Sequence, residues 1–101
     1  MTAVGGVEIP EGALAELCRK HHVRELALFG SVVRGEAGPE SDIDLLVEFE
    51  PEAGVGFIGF AGLQEELTVL LGKRVDLVSK KGLKAAIRDE VLGEAVVVYV
   101  A

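Results

Sequence analysis

The stretch Phe29–Glu48, FGSVVRGEAGPESDIDLLVE, decides the fold. It leaves one apolar run, crosses a loop containing Gly30, Ser31, Arg34, Gly35 and Gly38, and enters a second apolar run that opens with Asp42 and Asp44. Read as a strand, Asp42-Ile43-Asp44-Leu45-Leu46-Val47 puts both carboxylates on one face, roughly 7 Å apart along the chain. Ile43, Leu45, Val47 and Phe49 then fall on the opposite face, where apolar packing holds the acidic face rigid. Two carboxylates without His or Cys nearby suit a hard cation, Mg2+ first among them, shared with substrate phosphates. Just upstream, Gly30-Ser31 follows a strand and leads into a short helical turn, so backbone N–H groups and a hydroxyl could receive a phosphate oxygen.

Gly30-Ser31, ten intervening residues and Asp42-x-Asp44 resemble the GS-x10-DxD motif of the nucleotidyltransferase superfamily that includes DNA polymerase beta. The text FGSVVRGEAGPESDIDLLV is most similar to the minimal nucleotidyltransferase family. Arg74–Ser79 and the closing IRDEVLGEAVVVY resemble it too. Val32 and Val33 depart from the pattern, which often has a basic or small residue after the serine.

The resemblance implies a Mg2+-dependent transfer of AMP from ATP to a hydroxyl, with two ions held by Asp42, Asp44 and Asp76. Such an arrangement supports in-line attack on the α-phosphate, one ion on the attacking oxygen and one on the departing pyrophosphate. Asp76 is the natural third carboxylate and proton acceptor. Gly30, Ser31 and Arg34 are the candidate ATP contacts, although Arg34 reads equally as a solvated charge. Glu48 shares the aspartates' strand parity but lies roughly 13 Å beyond Asp44, outside that cluster. The resemblance also implies a partner: minimal nucleotidyltransferases are commonly paired with HEPN-domain toxins, which they silence by adenylylating a tyrosine. Two alternatives stand beside this reading. One is a non-catalytic antitoxin or nucleotide-binding module that masks its partner by binding; the other is a nucleotidyltransferase for a small molecule such as an aminoglycoside, which would need a homo-oligomer to build the acceptor pocket.

At 101 residues the expectation is one domain over 1–101, with residues 1–10 as a loose leader. A net charge of −7 with ten basic residues disfavours extended nucleic acid as acceptor. Cys18 is the only cysteine, no apolar run reaches a membrane span, and no signal pattern opens the chain, so the protein reads as cytoplasmic.

The expected fold is α/β: a small mixed β-sheet of about four strands flanked by helices mainly on one face. Helical spacing of Leu14, Leu17 and Cys18 predicts a helix over Glu11–His21. A strand over Glu25–Phe29 delivers Gly30-Ser31, and a second helix runs over Phe60–Leu71, stopped by Gly72. In RVDLV, alternation buries Val75 and Leu77 and presents Asp76. A last helix over Lys80–Leu92, with Leu83, Ala86, Ile87 and Val91 as its apolar face, precedes a final strand over Ala95–Val100. Lys80, Lys81 and Lys84 would then face the positive end of that helix, a conflict that hints at an anion or acidic surface nearby.

Overall fold

The computed structural model describes residues 2–101. Its central sheet is built from β3 (Val23–Phe29), β4 (Ile43–Phe49), β5 (Val75–Ser79) and β6 (Val96–Val100) in the order β5-β4-β3-β6. β3 pairs antiparallel with β4 and β6, and β4 pairs parallel with β5, so the sheet is mixed as expected.

Period-two alternation sorts the strands' side chains. Leu26, Leu28, Ile43, Leu45, Val47, Val75 and Leu77 point to one face and are buried. Two helices cover that face: α1 (Glu11–Lys20), contributing Leu14 and Cys18, and α3 (Phe57–Leu71), contributing Leu63 and Leu67. Burial pushes the Cys18 thiol up to about 12, which keeps it an inert packing group. Glu66 of α3 ties the two helices together, accepting from Lys20 Nζ and meeting His21 Nε2, each at 2.8 Å. Leu63 is fully buried, so Leu63→Ala should cost about 3 kcal/mol. Urea unfolding should show a lower midpoint with an unchanged slope.

Residues 2–10 are not a loose leader. β1 (Thr2–Val4) and β2 (Val7–Ile9) form an antiparallel hairpin across Gly5-Gly6. Val7 and Ile9 enter the main core, because a three-residue strand suffices when alternate positions are apolar and the turn is two glycines. The hairpin turn at Gly5 abuts Val32.

The opposite sheet face carries Asp44, Leu46 and Glu48 of β4, Glu25, Ala27 and Phe29 of β3, and Asp76 and Val78 of β5. Its middle is covered by α4 (Ala85–Glu94), which buries Val91 against Ala27 and Leu46 together with Leu83. The expected continuous helix from Lys80 is in fact broken. Lys80–Gly82 form a 3-10 turn, Leu83 and Lys84 are extended, and α4 starts only at Ala85. Leu83 can therefore drop into the core without continuing a helical face, and Ile87, expected inside, is 45% exposed. Lys80 does not oppose a helix dipole; its Nζ lies 3.6 Å from Glu25 and 3.8 Å from Glu48. The acidic surface it calls for is on its own sheet. Among the described residues no helix is long and apolar enough to cross a membrane.

Candidate active site

β3 ends at Phe29, and the chain turns sharply into α2 (Ser31–Arg34), a single helical turn closed by Arg34 N–H to Gly30 O at 3.2 Å. Gly30 sits at φ 79°, ψ −152°, a region that only glycine occupies readily. Close approach adds a second reason for glycine: a Cβ there would overlap Oδ2 of Asp44 and lie 3.0 Å from its Cγ. Val32, one of the two departures from the family pattern, is buried in the core rather than facing a ligand.

The loop returning to β4 is pinned by Ser41, whose Oγ accepts the Gly38 N–H at 2.9 Å. Asp42 lies at the end of this loop, one residue before β4 begins, and not within the strand proper. Its Oδ1 is 4.0 Å from Nη1 of Arg74, a neighbour the sequence did not suggest. Asp44 stands opposite Phe29 on one side and Asp76 on the other, in direct parallel register. Desolvation raises the Asp44 carboxyl above the usual carboxylate range, helped by the charges of Asp76, Asp42 and Glu94 and opposed by Arg34. Asp42, Asp44 and Asp76 thus share one end of the sheet face, while Glu48 is held at the far end with Lys80.

Among the described residues, no three acidic, His or Cys side chains converge into a ready-made metal cage. The carboxylates of Asp42, Asp44 and Asp76 are hard oxygen donors, the type that Mg2+ accepts. Mg2+ keeps waters and is bound through one or two carboxylates plus substrate phosphates, and the available donors are hard oxygens on a rigid strand pair.

Arg34 is not simply solvated. Its Nε donates to Glu36 Oε1 at 2.7 Å and its Nη1 to Glu94 Oε1 at 3.0 Å and Oε2 at 3.1 Å. These bonds, Glu36 first, raise the guanidinium further above its already high range. Glu94, the last residue of α4, also accepts the Gly30 N–H at 2.5 Å. Sequence reading passed over it. A signal was present, because a carboxylate in the last helical turn opposes the helix dipole.

Residues 11–98 match the model of the nucleotidyltransferase domain family. The chain belongs to that family. This nucleotidyltransferase is 51% identical over 85 residues to the protein adenylyltransferase MntA of Thermococcus cleftensis, covering 84% of this chain and 82% of that protein. A solved minimal nucleotidyltransferase matches with a TM-score of 0.72 and 45% identity, over 85% of this chain and 86% of the other. At the level of fold it also matches, with a TM-score of 0.64 and 22% identity, a chain in the structure of a tri-AMPylated HEPN toxin from Shewanella oneidensis in complex with its MNT antitoxin. That likeness covers 90% of this chain and 70% of the other.

Proposed function

We propose that this nucleotidyltransferase moves AMP from ATP to a hydroxyl, a tyrosine of a HEPN-type toxin, and so serves as the toxin's antitoxin. The observation that carries the chemistry is the register pair Asp44–Asp76, with Asp42 beside it and the Gly30-Ser31 turn packed against Asp44. The AMP donor and the protein acceptor are supported by the 51% identical protein adenylyltransferase, and the toxin by the complex of similar fold.

In this reading Asp42, Asp44 and Asp76 would hold Mg2+ jointly with the substrate's phosphates, and Gly30, Ser31 and Arg34 would hold phosphate oxygens. When bound, Mg2+ neutralises the triphosphate and lowers the cost of forming the attacking oxyanion. Asp76, the most exposed of the three along its strand, faces solvent where an incoming hydroxyl would arrive and takes its proton. The hydroxyl oxygen bonds to the α-phosphorus as the bond to the bridging oxygen breaks, and pyrophosphate leaves. The cytoplasm, where ATP and Mg2+ are abundant, is the proposed setting, and residues 1–101 act as one catalytic domain.

Label transfer from α-labelled ATP with Mg2+ into a cytoplasmic lysate tests the reading. The protein should label one small protein band, and an Asp42→Asn, Asp44→Asn double variant should not. Label confined to the small-molecule fraction would replace the toxin with a small acceptor. Absence of any label specific to the wild type would leave only masking by binding.

A further inference from the structure

One carboxylate oxygen, Glu94 Oε2, receives both the Gly30 N–H at 2.5 Å and Arg34 Nη1 at 3.1 Å, while Oε1 receives Nη1 at 3.0 Å. A loop N–H and a guanidinium converging on one anionic oxygen is the donor set with which proteins hold phosphate. Glu94 gains this position against its local energetics. It ends α4, where the helix dipole repels a carboxylate, and it adds a fourth negative charge beside Asp42, Asp44 and Asp76. Although the charged residues Arg88, Asp89 and Glu90 of the same helix are exposed, the Glu94 side chain is only 17% exposed. The helix that carries it is lightly anchored: Val91 is its one buried residue, and Ile87 and Leu92 face solvent. Withdrawing Glu94 therefore disturbs little packing.

We propose that Glu94 is a built-in competitor for the nucleotide's phosphates, so that a triphosphate gains the Gly30 N–H and Arg34 only as Glu94 gives them up. The inference rests on the reading of the Gly30–Arg34 turn as a phosphate seat. A self-supplied anion divides the intrinsic affinity by the fraction of molecules in which the seat is free. It also links nucleotide binding to the junction of α4 with β6, because Glu94 stands two residues before Val96. By reciprocity, a partner surface that draws α4 away would tighten nucleotide binding by the same factor.

The test is calorimetric binding of α,β-methylene ATP with Mg2+ at fixed ionic strength. Glu94→Gln and Glu94→Ala should each bind about tenfold more tightly than the wild type. Glu90→Gln, which removes the same charge from an exposed position on α4, should stay within about twofold. Wild-type binding that neither Glu94 variant improves overturns the competitor and leaves the phosphate seat standing. Equal tightening by Glu90→Gln overturns it as well, since general charge would then suffice. No binding by any of the proteins removes the phosphate seat and the competitor together. Hydrogen exchange on the unmutated protein gives a readout independent of the variants' folding. The analogue should speed exchange over residues 91–96, and slowed or unchanged exchange there counts against the proposal.

Discussion

Asparagine in place of Asp44 is expected to lower AMP transfer about a thousandfold and, at the same time, to raise the melting temperature of the metal-free protein. The first effect follows from the proposed role of Asp44 as a cation ligand, whose removal would forfeit about 4 kcal/mol of transition-state stabilisation. The second follows from what holds the Asp44 carboxyl above its ordinary range: desolvation first, then Asp76 and Asp42. A carboxyl whose folded-state pKa is raised binds its proton more tightly folded than unfolded. Its cost to stability is therefore absent below the unfolded pKa, grows as pH rises through the interval up to the folded pKa, and is fully present at neutral pH. Because the side chain is only partly buried and solvent screens its charges, the relief in the variant should be modest, a rise of about a few degrees in a chain of this size. Thermal melts in chelator should show the variant above the wild type at neutral pH and nearly level with it at about pH 4. Added Mg2+ should raise the melting temperature of the wild type more than that of the variant. A variant that melts lower at neutral pH, or still transfers AMP at the wild-type rate, would refute this account of the residue.

What the sequence disclosed about the site depended on how local each feature is. Asp42 and Asp44 are separated by one residue, so Asp42 stays near Asp44 although it precedes β4 and strand parity does not govern it; in RVDLV parity does hold, exposing Asp76 and burying Val75 and Leu77. That Asp76 stands directly across from Asp44 depends on a parallel pairing between strands more than thirty positions apart, which no local pattern encodes. The hairpin at the start was legible in principle. TAV and VEI flank Gly-Gly, but two three-residue runs carry too little periodicity to outweigh their glycines. The break between Lys80 and Ala85 was missed for the opposite reason, since Leu83, Ala86, Ile87 and Val91 imitate a helical stripe although Leu83 leaves it. β6 shows the limit of reading burial from composition. VVVYV is apolar throughout, yet as an edge strand it leaves Val97 52% and Val100 65% exposed. Glu94 meets its partners 60 and 64 positions away, so only its misfit with the helix dipole could have marked it.

Alanine at position 30 should combine a large loss of stability with a large loss of activity, and the two losses have separate causes. The backbone at φ 79°, ψ −152° lies where a residue with a Cβ is strained, a cost of about 2–3 kcal/mol. The steric overlap falls on the tip of the Asp44 side chain, which can rotate away, so it adds little to that cost. Rotation takes the carboxylate out of the cluster with Asp76 and Asp42, and AMP transfer should fall by about a hundredfold even at temperatures where the variant is fully folded. Gly35→Ala separates strain from overlap. Gly35 also has a positive φ, 74°, but a Cβ there meets nothing within 4 Å. Its alanine variant should lose about 1 kcal/mol and keep its activity. Chemical denaturation and label transfer on the two variants check both halves. If Gly30→Ala were as stable and as active as Gly35→Ala, the turn and the acidic residues would move independently, and the proposed phosphate seat and proposed cation site would not form the single rigid unit that the close approach of Gly30 to Asp44 implies.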